Sequence, residues 1–195
     1  METAREELEE LDIRNYEQKS FVPHHELRCL LDERKVTELI QAVSEQGKIQ
    51  VYQQHEVVSV ILDSGLRLFA TLLSLSRPEM MLKFVKTDHF THPHLDSRLP
   101  MSKHDLNIIL GDEKIGARFY RNQWRFLAPF FCADQSHREL EDETILPFIE
   151  CHPVGEGGFG EISKLSLIGS HQGLVPESKS KVLLPWYLTS SYLLV

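Results

Sequence analysis

The chain has 195 residues, of which 42% are hydrophobic and 26% are charged, which is typical of a globular protein and unlike a disordered chain. Its formal net charge of −8 disfavours nonspecific binding to nucleic acid or to anionic membranes, since both require a positive surface. No run reaches the roughly 20 apolar residues of a membrane-spanning helix, and the acidic N-terminus has no apolar signal-peptide core. We therefore expect a cytoplasmic or nuclear protein whose partners include neither nucleic acid nor membrane.

Helix-forming patterns dominate the first part of the chain. Residues 2–19 contain many helix formers and an acidic first turn, which the positive end of a helix dipole favours. Asp32 precedes an amphipathic stretch, and Gly47 marks the position where that helix should end. The apolar residues of this stretch recur at the helical spacing i, i+3, i+4 and i+7, namely Val36, Leu39, Ile40 and Val43.

Residues 55–75 form the most densely apolar part of this helical region. Their composition predicts a core helix or a pair of core helices. Ser64 and Gly65 offer a break between the two members of such a pair.

Two further helix starts carry capping signals. Ser76 with Glu79 matches a capping box, and Pro78 would lie in the first turn of the helix that follows. Ser102, with an aspartate three positions later, predicts another helix start, and Gly111 predicts where that helix ends.

A histidine-rich segment from Asp88 to Asp96 lies between these two helices. It contains three histidines and two carboxylates within nine residues, and such side chains are ligands of zinc. Their spacing fits no standard zinc site, and Pro93 stiffens the segment. We therefore interpret residues 87–101 as a polar surface loop and assign no metal ligand.

The composition divides the chain into four segments. Residues 1–132 form the helical region, and residues 133–143 are polar and acidic and are interpreted as a linker. Residues 144–174 show spacings typical of strands on both sides of a glycine-rich run. Residues 175–195 form a tail of different character, so the predicted fold is mainly α, and α+β overall.

The glycine-rich run from Val154 to Ile162 is the motif in this sequence that indicates a biochemical function. Gly155, Gly157 and Gly160 satisfy G-x-G-x-x-G, which occurs both in dinucleotide-binding proteins and in protein kinases. A dinucleotide site needs a helix after the glycines, whereas residues 163–168 alternate as a half-exposed strand does. The flanks therefore favour a strand–loop–strand hairpin of the kinase type, with a ligand-free hairpin as the alternative.

The residue types of this run suit a nucleotide. Glycines let backbone amides approach phosphate oxygens, and Phe159 at the tip would exclude water from the phosphates. Val154 and Ile162 flank the loop where apolar side chains would lie over an adenine. The candidate nucleotide-binding residues are Val154, Gly155, Glu156, Gly157, Gly158, Phe159, Gly160 and Ile162.

Residues 144–168 resemble the first two strands of a protein-kinase N-lobe. The preceding run QWRFLAPF, residues 123–130, followed by Leu146-Pro147-Phe148, is similar to the segment before the catalytic domain in a group of protein kinases from filamentous fungi. The resemblance covers roughly residues 100–170. It implies a serine/threonine protein kinase that binds ATP, with magnesium in a complete relative, and phosphorylates a protein substrate.

The kinase motifs expected after the glycine loop are missing from this sequence. The lysines in the expected interval, Lys179 and Lys181, lie in a polar run and not in a strand, and neither a His-Arg-Asp nor an Asp-Phe-Gly motif follows. We therefore assign no catalytic residue and expect a truncated chain with negligible kinase activity and weak ATP binding.

The alternative function is a non-catalytic, helical protein-interaction module formed by residues 20–130. An aromatic cluster at the end of the helical region would then be a docking surface, or else would pack inside the fold. Its members are Trp124, Phe126, Phe130 and Phe131.

Overall fold

The computed structural model is mainly helical with a smaller β component, which confirms the predicted mainly α, α+β fold. It describes residues 2–86, 94–132, 137–157, 160–173, 183–189 and 192–194. The described helices are α1 (Glu2–Glu10), α2 (His24–Leu30), α3 (Glu33–Glu45), α4 (Gln54–Ser64), α5 (Leu66–Ser74), α6 (Met81–Lys86), α7 (Lys103–Leu110) and α8 (Glu113–Gln123). The described strands are β1 (Ile13–Arg14), β2 (Ser20–Phe21), β3 (His137–Glu139), β4 (Phe148–Gly157), β5 (Gly160–Leu167), β6 (Leu183–Thr189) and β7 (Tyr192–Leu194).

Contacts between residues divide the chain into two compact units. One unit comprises Met1–Leu11 and His25–Leu127, and the other comprises Asp12–His24 and Ala128–Val195. The segment 12–24, which the sequence grouped with the helical region, therefore belongs to the unit that contains the β-strands.

The helical unit has a core of aliphatic and aromatic side chains from most of its helices. The rings of Phe84 on α6 and Phe119 on α8 stack with centroids 5.9 Å apart. The predicted break at Ser64-Gly65 separates α4 from α5, and all but two of the nine α5 residues are buried. Fully buried aliphatic members of this core include Leu8, Val36, Ile40, Val57, Ile61, Leu72, Leu106 and Leu110.

Local signals place several helix ends where the sequence predicts them. The Asp32 carboxylate accepts a hydrogen bond from the backbone N–H of Lys35 at 2.7 Å and caps α3. Ser102 caps α7 by accepting from the backbone N–H of Asp105 at 3.1 Å. Gly111 ends α7 in the left-handed conformation, with φ of 63°, which a glycine adopts without steric cost.

The capping box predicted at Ser76 is not formed, because Ser76 ends the preceding helix. Its φ is 57°, and its backbone N–H donates to the carbonyl oxygen of Leu73 at 2.9 Å. The N–H of Arg77 donates to the carbonyl oxygen of Leu72 at 2.9 Å, which completes a Schellman motif at the end of α5. The next helix instead starts with a 3₁₀ turn that has Pro78 in its first turn and no side-chain cap.

The helix predicted within residues 2–19 ends at Glu10, because a polar turn competes with it. The side-chain oxygen of Asn15 accepts from the backbone N–H groups of Glu17 and Lys19 at 3.0 and 2.9 Å. Such side-chain bonds give the backbone an alternative to helical pairing. The turn connects β1 to β2, which pair as a short antiparallel hairpin.

The larger sheet is antiparallel and has the strand order β3-β7-β6-β5-β4. Strands β4 and β5 are the hairpin that the glycine-rich sequence predicts. The segment predicted as a tail, residues 175–195, contributes β6 and β7, and the segment predicted as a linker, residues 133–143, contributes β3. The glycine hairpin is therefore part of a five-stranded sheet.

The core of this second unit lies against the base of the hairpin. It consists of Phe131, Phe148, Leu165 and Leu167. The rings of Phe131 and Phe148 stack with centroids 5.5 Å apart. The backbone N–H of Tyr16 donates to the carbonyl oxygen of Phe148 at 2.8 Å, so the early segment of the chain occupies the free edge of β4.

Candidate functional site

The glycine-rich motif lies at the distal end of the β4–β5 hairpin. Gly155 pairs with Ile162, Glu156 with Glu161, and Gly157 with Gly160. The candidate residues Gly158 and Phe159 lie outside the described residues. The hairpin thus brings six of the eight candidate positions onto two adjacent strands.

A β-bulge interrupts the hairpin just before the first glycine of the motif. Pro153 pairs with Ser163 and Gly155 pairs with Ile162, so Val154 is an extra residue on β4. Its side chain is 67% exposed, which is a large exposed fraction for a valine in a strand. An apolar surface is thus present beside the glycines, where the sequence predicts contact with an adenine.

Gly155 has open space where a side chain would be. No heavy atom of the described chain lies within 4 Å of the position that a Cβ would occupy at this residue. Packing against the described residues therefore does not require a glycine here. Close approach of a ligand such as a phosphate group does require one, because any side chain would occupy that space.

The base of the hairpin is fixed by burial and by a cross-strand hydrogen bond. Phe148 and Leu167, which pair at the end of the hairpin next to the core, are 0% and 4% exposed. On the exposed side of the sheet, the Ser166 hydroxyl donates to the Glu150 carboxylate at 2.7 Å. The strands that carry the glycines are thus anchored at their base in the core of this unit.

His171 is a buried residue of this unit, in the 3₁₀ turn Gly169–His171. Its Nδ1 lies 3.0 Å from the carbonyl oxygen of Pro129, and its Nε2 lies 3.4 Å from the backbone N–H of His24. A carbonyl can only accept and an N–H can only donate, so we infer the neutral tautomer that carries its proton on Nδ1. The imidazole packs edge-on against Phe21, with centroids 5.6 Å apart, and is a structural group.

The first residues of the run QWRFLAPF, which precedes the hairpin, pack inside the helical unit. The side-chain amide of Gln123 is fully buried and pairs with the backbone of Met101, accepting from its N–H at 2.8 Å and donating to its carbonyl at 3.0 Å. Trp124 and Phe126 are also buried in this unit. In the other unit Phe131 is buried, whereas Phe130 is 49% exposed. Most of the aromatic cluster therefore packs inside the fold.

The histidine-rich segment is described only from His94 onward, and its residues 88–93 lie outside the described residues. Asp96 accepts hydrogen bonds from the backbone N–H groups of Arg67 and Leu68 at 2.9 and 3.0 Å, and so caps α5. Burial raises the pKa of the Asp96 carboxyl, and these two hydrogen bonds oppose that increase. Within the described part of the chain, no group of three or more His, Cys, Asp or Glu side chains is arranged to hold a metal ion.

No single helix in the described ranges is long and apolar enough to span a membrane. The segments Val51–Ser64 and Leu66–Ser74 together have the length and composition of a span, but they meet at a bend of 110°.

Two lysines lie in the interval after the glycine loop where a protein kinase carries the lysine that holds the ATP phosphates. They are Lys179 and Lys181, and both lie outside the described residues.

Comparison with protein-family models, with curated proteins and with solved structures finds no match to this chain.

Proposed function

We propose that residues 154–162 form a nucleotide-binding glycine loop of the protein-kinase type, which covers the phosphates of ATP. The observation that carries this proposal is the open space at Gly155, on a strand–loop–strand hairpin and next to the exposed Val154. In a loop of this type, backbone amides approach the phosphate oxygens and the apolar flanks contact the base.

The arrangement of the strands supports a kinase-type loop over a dinucleotide-binding loop. In a dinucleotide site the glycines lead into a helix, whose N-terminus faces the pyrophosphate. Here the glycines lead into β5, which pairs with β4 over Gly160–Leu167. Phosphate binding on this hairpin would therefore depend on backbone amides of the loop itself.

For this chain we propose nucleotide contact alone; the reaction class proposed for a complete relative is phosphoryl transfer from magnesium-bound ATP to serine or threonine of a protein substrate. It is supported by the resemblance of residues 144–168 to a kinase N-lobe. The proposal assigns nucleotide contact to this loop and assigns no catalytic base or metal ligand.

The decisive variant is Gly155→Val. Because the Cβ position is open and valine favours strands, we expect the free energy of unfolding to stay the same or to rise slightly. We expect the variant to lose contact with ATP, since the new side chain occupies the space that the phosphates need. The measurement is saturation-transfer NMR from the protein to Mg-ATP, which detects weak binding.

Gly169→Val is the matched control, because Gly169 also has no heavy atom within 4 Å of its Cβ position and lies outside the motif. Saturation transfer should survive in this control. Equal transfer in Gly155→Val and in the parent chain, or no transfer in the parent chain, would contradict the proposal.

A further inference from the structure

The helical unit has a groove of about 600 Å³ that is separate from the glycine hairpin. It lies between α3, the 3₁₀ turn Val51–Gln53 and the outer face of α4. Its lining residues are Glu33, Thr37, Val51, Gln54, His55, Val58, Ser59, Leu62 and Asp63. The five α4 positions from His55 onward follow the spacing i, i+3, i+4, i+7 and i+8, so they form one helical face.

Helix α4 has apolar residues on two faces, and only one of them is covered. Val57 and Ile61 are fully buried in the core of the unit. Val58 and Leu62 lie half-buried on the groove side. A helix with a single core-facing stripe presents polar residues on its other face, so this second stripe is an excess of apolar surface.

The 3₁₀ turn extends this apolar surface to one end of the groove. Val51 is 78% exposed, and its neighbour Tyr52 is 81% exposed. Contiguous exposed apolar surface on a folded protein is typical of an interaction site.

The charges around the groove restrict what it can bind. Glu33 and Asp63 are both exposed lining residues, and the described lining contains no lysine or arginine. The Ser59 hydroxyl donates to the Asp63 carboxylate at 3.3 Å. The net charge of −8 adds to this negative potential.

We propose that this groove binds a short amphipathic helix of a protein partner that carries lysine or arginine beside its apolar residues. The apolar side chains of the partner contact Val51, Val58 and Leu62. Its cations lie against Glu33 and Asp63. This is helix-in-groove recognition, in which apolar anchors give affinity and complementary charges give selectivity.

The test uses the full chain and two labelled synthetic peptides, each about four helical turns long. Both peptides carry leucines at i, i+3, i+4 and i+7, one with lysines and the other with glutamates at the flanking positions. Fluorescence anisotropy should show that the lysine peptide binds roughly tenfold or more tightly than the glutamate peptide. Added salt should reduce this difference.

Two variants locate the binding site. Val51→Gln replaces a mostly exposed apolar side chain without adding a charge, and should weaken binding of the lysine peptide by roughly tenfold while leaving thermal unfolding unchanged. The charge reversal Glu33→Lys with Asp63→Lys should shift the preference toward the glutamate peptide. Ile108→Gln is the matched apolar control, because Ile108 is 67% exposed on α7 and outside the groove. Glu6→Lys with Glu10→Lys is the matched charge control, because both residues are exposed on α1 and the change in net charge is the same.

Equal effects of Val51→Gln and Ile108→Gln would overturn the proposal, as would equal affinity for the two peptides. Concentration-dependent dimerisation that Val51→Gln abolishes would also overturn it, because the occupant would then be a second copy of the chain. Analytical ultracentrifugation of the peptide-free protein detects that outcome. Gly155→Val should leave peptide binding unchanged, so failure of the nucleotide proposal is distinguishable from failure of this one.

Discussion

At the scale of single residues, Asp96 links the end of the histidine-rich segment to α5. Both of its carboxylate oxygens accept from backbone N–H groups at the start of that helix. Replacing Asp96 with alanine removes the acceptor of the partly buried backbone N–H groups of Arg67 and Leu68. We expect Asp96→Ala to lower the free energy of unfolding by about 1–3 kcal/mol, measured by urea denaturation.

The raised pKa of Asp96 also predicts a pH dependence of stability. The carboxyl of Asp96 binds a proton more tightly in the folded protein than in the unfolded chain. The contribution of Asp96 to stability is therefore full below a pH of about 4 and is lost as the pH rises through the raised pKa of the folded state. In Asp96→Asn this titration is absent. The difference in unfolding free energy between parent and Asp96→Asn should therefore decrease from low to neutral pH, and a constant difference would contradict the assigned shift.

Gln123 is a second residue whose role depends on its tertiary contacts. Gln123→Glu keeps the size of the side chain but replaces the donor to the Met101 carbonyl with an oxygen and buries a charge. We expect a loss of about 3 kcal/mol or more in the free energy of unfolding at neutral pH. Because a protonated carboxyl can donate again, the loss should shrink as the pH falls. Gln123→Leu, without a titrating group, is the control and should show no such recovery.

At the scale of elements, α3 and α5 end with the same motif but with different residues. Gly47 has φ of 73°, its N–H donates to the Ser44 carbonyl, and the N–H of Lys48 donates to the Val43 carbonyl. Ser76 occupies the equivalent position of α5 with φ of 57°. The left-handed region is unfavourable for serine and is freely adopted by glycine.

We therefore expect Ser76→Gly to raise the free energy of unfolding by about 0.5–1 kcal/mol. The reciprocal change Gly47→Ser should lower it by a similar amount, because no heavy atom lies within 4 Å of its Cβ position and the effect is purely conformational. Chemical denaturation of the two variants measures both values. Changes of the same sign in the two variants would refute this explanation.

At the scale of the whole molecule, residues 12–24 join the unit that holds the larger sheet, although more than one hundred residues separate them from most of it in sequence. Asn15 is 1% exposed, and its side-chain amide donates to the Leu146 carbonyl at 3.2 Å while its oxygen shapes the β1–β2 turn. We expect Asn15→Ala to speed amide hydrogen exchange at Tyr16 and in β4, measured by NMR. Exchange in α7 serves as the internal reference, because the hydrogen bonds of Asn15 lie within the second unit.

The sequence by itself determined the features that depend on neighbouring residues. The cap at Asp32, the break at Gly65 and the left-handed ends at Gly47 and Gly111 are local, because each depends on the backbone preferences of a few residues. The strand–glycine–strand hairpin is local for the same reason, since its two strands are adjacent in the chain.

Only the tertiary structure decided the features that depend on distant residues. Three such features have no signal in the nearby sequence. They are the hydrogen bond from Tyr16 to Phe148, the cap of α5 by Asp96 and the burial of His171. The open space at Gly155 and the second apolar stripe of α4 likewise became visible only when their surroundings were known. Burial and long-range hydrogen bonds depend on which segments meet in space, and local propensity does not encode that choice.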